Sequence, residues 1–196
     1  MATSSHLDLA AHDVATRSMP QRIAIVRAAF ALIWAAALAL AVGDKVPTTN
    51  SDIPVGIALL LASYPLIDVI SSIVGSRFAE TRVLRANAAV SSLAVVALAV
   101  TSFGSDAGAT LAAFGAWAAA SGLILLGIAI HRRRTEGRQL PLIVSGGLST
   151  IAGVSFLAAS GNDKAHLGMI AGYMALGAAL FIVSAVRGWS QGGEVA

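Results

Sequence analysis

One acid, Asp68, stands inside a long apolar run at residues 53–76, IPVGIALLLASYPLIDVISSIVGS. At 100° per residue, Tyr64, Asp68, Ser71, Ser72 and Gly75 fall on one face of a helix, and Leu59, Ala62, Leu66, Ile70 and Ile73 fall on the other. A helix in lipid has no use for a polar face unless that face meets protein or water. The run is therefore expected to be an inner member of a bundle. A lone carboxylate at such depth costs about 2.5–3.5 kcal/mol on insertion scales, so it must be protonated, wetted or paired. By depth the first candidate partner is Arg27, just over one turn into the preceding apolar run, and Arg85 is the second. Asn87, Ser91 and Ser92 could supply neutral hydrogen bonds. The candidate polar site is thus Asp68, Arg27, Tyr64, Ser71, Ser72 and Asn87. Two chemistries fit it: a buried pair that fixes helix register, or a coupling or selectivity acid on a solute path. Pro65, three residues before Asp68, removes one backbone hydrogen bond and is expected to bend the helix.

Other reactive groups are scattered. His6 and His12 lie in a polar tail, His131 adjoins three arginines, and His166 follows Asp163 by three residues. No two histidines have metal-ligand spacing supported by acids on one helix face, so no metal is expected. Cysteine is absent, which removes thiolate ligands and cysteine nucleophiles. No serine has a histidine and an acid placed as a triad, and there is no P-loop, GxGxxG or HExxH motif. The expectation is a non-enzymatic protein without a cofactor.

The elements that must position Asp68 follow from composition. The chain has 196 residues, 57% hydrophobic and only 12% charged, with mean hydropathy +0.80. A soluble domain carries about 25% charged residues, so a bilayer is the natural solvent. Six apolar runs, 23–42, 53–76, 83–103, 107–130, 140–159 and 165–186, each approach the length of a membrane span. The breaks are 43–52, a turn at 104–106, a basic loop at 131–139 and a turn at 160–164. The expected fold is an all-α bundle of six transmembrane helices at 22–187, flanked by tails at 1–21 and 188–196. The N-terminal tail lacks the apolar core of a cleavable signal peptide. Of the 13 basic residues, only Lys45 and Lys164 fall opposite the two termini, so both termini are expected in the cytoplasm. That same topology explains the net charge of +3, and nucleic acid is rejected as a partner.

The runs also read as three parallel helical hairpins. Each begins near an arginine and carries an aromatic residue in its second helix: Arg22 with Tyr64, Arg82 with Trp117, Arg138 with Tyr173. Four residues after each aromatic come Asp68, Ser121 and Gly177. Stripes of small residues mark close helix contacts: Gly168 and Gly172 as GxxxG, with Ala171, Ala175 and Ala179; Ala112, Ala116 and Ala120; Ser145, Ser149 and Gly153. The default use of such stripes is packing within the monomer. A homo-oligomer or a membrane partner protein is the alternative. Trp34, Tyr64, Trp117 and Tyr173 lie mid-span and are expected to be packing residues.

From Arg82 onward the layout is similar to the HdeD-like family of bacterial membrane proteins built from short repeated hairpins. The segments that carry the resemblance are FGAWAAASGLILLGIAIHRRR (114–134), LPLIVSGGLSTIAGVSFLAA (140–159) and LGMIAGYMALGAALFIVSAVR (167–187), with YPLID (64–68) matching the family's aromatic-to-acid pattern. The likeness spans roughly 22–187. Ser121 departs from it, standing where a second acid belongs. The resemblance implies a multi-pass protein of the bacterial inner membrane, associated with lipids or partner proteins and contributing to acid or stress tolerance. The alternative expectation is a small transporter or channel that uses Asp68.

Overall fold

The computed structural model describes residues 26, 29–42, 50, 52–77, 81–136, 140–163 and 166–192. They form six helices: α1 (Ala29–Val42), α2 (Val55–Gly75), α3 (Thr81–Gly104), α4 (Ala107–Glu136), α5 (Leu140–Ala159) and α6 (Gly168–Gly192). Among the described residues, Val55–Gly75, Arg82–Gly104 and Ala107–Arg133 are long and apolar enough to cross a membrane. The expected tail at 1–21, Arg27 and the last residues of the C-terminal tail, 193–196, lie outside the described residues.

Two boundaries differ from the sequence reading. The expected basic loop at 131–139 is helical as far as Glu136. Arginines are good helix formers, and their charge suits the negative end of the helix dipole, so His131–Glu136 extends α4 beyond its apolar part. Likewise α6 continues to Gly192, past the apolar run that ends at 186.

The bundle has an apolar core but, unlike a soluble protein, also an apolar exterior. On α2, Leu59, Leu66, Ile70 and Ile73 are exposed, at 58%, 47%, 55% and 50%. Asp68 and Ser72 on the same helix are buried. This is the division of faces that the 100° periodicity gives, and it is the arrangement expected where the solvent is hydrocarbon. The helix runs through Pro65 without a break. Near it, the Leu60 carbonyl accepts hydrogen bonds from Trp34 Nε1 (2.9 Å) and Ser63 Oγ (2.7 Å).

The closest helix packing is α4 on α5, followed by α2 on α3, rather than within the expected hairpins α3–α4 and α5–α6. Glycines make the α4–α5 contact. A Cβ on Gly146 would stand 2.7 Å from the Leu126 nitrogen and 2.9 Å from the Gly122 oxygen, and one on Gly115 would stand 2.7 Å from the Gly153 oxygen. Gly115 and Gly122 are seven residues apart, as are Gly146 and Gly153, so each pair lies on one face of its helix, two turns apart. The expected GxxxG contact in α6 is not made this way. Gly172 is exposed, and a Cβ there would meet nothing within 4 Å. Ala116, from the expected α4 stripe, is exposed as well.

The centre of the bundle is a layer of six aromatic rings. Phe114 lies in the middle, 5.2 Å from Trp117, 6.1 Å from Phe156 and 6.4 Å from both Tyr64 and Tyr173. Trp34 closes the layer against Tyr64 at 4.8 Å. The layer joins α1, α2, α4, α5 and α6, and its tilted and edge-on pairs are the favoured aromatic geometry. On one side of it the core is mostly aliphatic, with Leu38, Leu61, Leu98, Leu111 and Ile170 fully buried, although Ser102 and Thr110 are buried there too. On the other side, toward the arginine-rich ends of the helices, the core is more polar, with Asp68, Ser72 and Ser91 buried among small apolar residues such as Ala118, Ala129 and Ala178.

Candidate functional site

Asp68 reaches the middle of that polar half because α2 turns its serine face inward. It is 92% buried, being 8% exposed. Asn87 Nδ2 and Ser91 Oγ, both on α3, donate to its Oδ2, each at 2.7 Å. Asn87 Nδ2 also donates to Ser72 Oγ at 2.9 Å, tying the next turn of α2 to the same residue. From α4, Trp117 Nε1 donates to Ser91 Oγ at 3.0 Å. The result is a donor chain, Trp117 to Ser91 to Asp68, across three helices. Asp68 and Tyr64 each make a further interaction beyond those named here.

Expectation and geometry can be compared residue by residue. Asn87 and Ser91 are partners of Asp68, as their depth suggests. Ser92 is exposed instead, and its hydroxyl donates to the Ala88 carbonyl of its own helix. Ser71 lines the site, but its hydroxyl donates to the Ile67 carbonyl at 2.7 Å. Arg85 is exposed. Arg27, the first candidate partner, lies outside the described residues. The periodicity of α2 did not reveal the contribution of Trp117. Its mid-span position pointed to packing, and it does pack, but its indole N–H also orients Ser91. A Trp117→Phe variant keeps the ring and loses the donor, so it is expected to cost about 1 kcal/mol, against about 3–5 kcal/mol for Trp117→Ala; unfolding transitions in detergent measure both.

Beside Asp68 lies a cavity of about 240 Å³. A single water needs about 10–15 Å³ of such space, so the cavity has room for several. Its lining includes all three aromatic positions of the repeat and all three positions four residues later: Tyr64 and Asp68, Trp117 and Ser121, Tyr173 and Gly177. Ser145 and Ser149 of α5 complete the polar wall. Two of the three expected hairpins share a hydrogen-bond pattern. Trp117 donates to Ser91, and Tyr173 Oη donates to Ser149 Oγ at 2.8 Å, so in each case the ring of the second helix bonds a serine on the first helix of its own hairpin. Where the pattern departs, at Ser121, the cavity wall carries a hydroxyl in place of a carboxylate. Ser121 Oγ is buried and has no hydrogen-bond partner among the described residues.

No group of three or more metal-ligating side chains occurs among the described residues. No protein family, curated protein or solved structure matches this chain. Fold and site together define a class: an all-helical bundle of membrane-protein character, with one buried carboxylate beside a cavity of mixed polar and apolar lining.

Proposed function

We propose that this is a small-solute transporter of the bacterial inner membrane. Its six helices all span the bilayer as three parallel hairpins, both termini are cytoplasmic, and the Asp68 cavity is the solute site, opening toward the cytoplasm. The observation that carries this reading is the cavity itself. A buried pair that only fixed helix register would need no space around it, yet about 240 Å³ adjoins Asp68. Ser121 Oγ, on the cavity wall, is one of two buried serine hydroxyls without a hydrogen-bond partner among the described residues; the other, that of Ser102, lies away from the cavity. A buried polar group without a partner costs about 1–3 kcal/mol, a cost that a bound water or solute relieves. The aliphatic layer beyond the aromatic rings favours a cavity with one open side over a continuous channel. The acid-tolerance role implied by the HdeD-like resemblance rests on the sequence pattern alone.

The absence of cysteine makes the test direct. Ser121→Cys, expressed in membrane vesicles of both orientations, is expected to react with a membrane-impermeant maleimide from the cytoplasmic face only. Failure to react from either face would overturn the solute-site reading. Reaction from the outer face would reverse the orientation.

A further inference from the structure

We propose that the solute is a single-chain amphiphile that enters from the bilayer between α5 and α6, and this rests on the reading of the Asp68 cavity as a solute site. A second cavity, of about 300 Å³, lies between these two helices. Ser145, Ser149, Tyr173 and Gly177 line both cavities, so the two spaces share one wall. The rest of the second lining is almost wholly apolar, with Leu148, Ile151, Phe156 and Leu176 among its residues. Its rim faces the hydrocarbon, since Ile151 is 66% and Leu176 52% exposed. The two adjoining spaces are therefore ordered, almost wholly apolar on the α5–α6 side of the shared wall and more polar on the Asp68 side. That order of chemistry fits an acyl tail followed by a hydrogen-bonding head; a fully hydrophilic solute would gain nothing from the outer part.

The seam between α5 and α6 is built to open. Among the described residues, these are the most loosely packed consecutive helices from α2 onward. On the opposite face of α5, glycines bring α4 into backbone contact, whereas a Cβ at Gly172 or Gly177 of α6 would meet nothing within 4 Å. Glycine at these two positions leaves space that a side chain would fill. Among the described residues, one side-chain hydrogen bond crosses the seam, from Tyr173 Oη to Ser149 Oγ. Both residues belong to the shared wall, so this bond lies where tail-lined and head-lined space meet.

The test uses the full chain in lipid nanodiscs with a lysophosphatidylcholine that carries a photoactivatable diazirine at mid-chain. Adducts are mapped by peptide mass spectrometry. Labelling of the α5–α6 groove is expected to exceed labelling of the exposed α3 face around Leu93 and Val96 by about fivefold or more. Filling the seam with Gly172→Leu and Gly177→Leu together is expected to lower groove adducts by about fivefold and leave the α3 adducts unchanged. Equal labelling of the groove and the α3 face in the unmodified chain, as an ordinary lipid coat would give, overturns the proposal. So does groove labelling that the double substitution leaves unchanged in a folded variant. The comparison within the unmodified chain stands even where the double variant fails to fold. Aqueous labelling at Ser121→Cys together with uniform adducts removes the lateral route alone. Groove adducts without aqueous labelling remove the solute-site reading and this proposal with it.

Discussion

Replacing Gly146 by alanine is expected to destabilise the bundle by about 3 kcal/mol, whereas the same change at the adjacent Gly147 is expected to be neutral or slightly stabilising. The two residues share a helix, a neighbour and a composition. They differ in what a methyl group would meet. At Gly146 it would collide with the backbone of α4, 2.7 Å from the Leu126 nitrogen and 2.9 Å from the Gly122 oxygen. Backbone in a helix cannot rotate aside as a side chain can, so α4 and α5 must separate. Separation would then loosen the Gly115–Gly153 contact two turns away and the Phe114–Phe156 ring pair beside it. At Gly147 the methyl meets nothing within 4 Å, and alanine gains about 0.5–1 kcal/mol over glycine in helix propensity. Denaturant titration of the purified variants in detergent separates the two outcomes. Equal stability of both variants would show that the α4–α5 approach does not hold the bundle together.

Changing Asp68 to leucine is expected to cost about as much, while Asp68→Asn is expected to leave the fold intact. The reason is the direction of the hydrogen bonds. Asn87 Nδ2 and Ser91 Oγ both donate to Asp68 Oδ2. An asparagine at this position keeps an oxygen that can accept both. A leucine leaves the buried Ser91 hydroxyl without its acceptor, at about 1–3 kcal/mol, and takes from the half-buried Asn87 one of its two. It also turns the polar side of the cavity apolar. With Ser121→Cys as reporter, the maleimide rate in the Asp68→Leu background is therefore expected to fall about tenfold, against little change with Asp68→Asn. A leucine variant that is as stable and as readily labelled as the asparagine variant would mean that the Asp68 network neither braces the helices nor keeps the cavity wet.

Much of the arrangement around α2 was legible because a single helix carried it. Five small or polar residues at helical spacing, opposite five apolar ones, leave only one face for Asp68 to present to the bundle. The depth of Asn87 and Ser91 in the next run then pointed to partners on α3. Contributions from more distant elements were harder to read. Trp117 reaches Ser91 across a helix boundary, and no spacing within α4 announces an indole N–H as a donor. The small-residue stripes were legible only in part: Gly153 of the α5 stripe meets α4 as expected, whereas Gly172 of α6 and Ala116 of α4 are exposed. GxxxG in α6 and Gly-x6-Gly in α4 and α5 both permit close approach, but a glycine does not say which neighbour will approach it. The stronger signal was the matching seven-residue spacing in two consecutive runs, Gly115 with Gly122 and Gly146 with Gly153. Such a match lets two antiparallel helices meet glycine to glycine twice. The serine wall contributed by α5 had no local signature, since Ser145 and Ser149 read equally well as packing residues.

On the proposed reading, in which the Asp68 cavity is a solute site open to the cytoplasm, the aromatic layer has an electrical consequence. A water-filled cavity takes the potential of the aqueous phase it opens to. The membrane voltage then falls mainly across the aliphatic half of the bundle, between the ring of Trp34, Tyr64, Phe114, Trp117, Phe156 and Tyr173 and the far surface. Moving one elementary charge through 100 mV is worth about 2.3 kcal/mol. A charged group arriving at Asp68 from the open side crosses little of that drop, and one leaving past the rings crosses nearly all of it. The rings therefore mark the inner plate of a thinned capacitor, and voltage acts on departure through them rather than on entry.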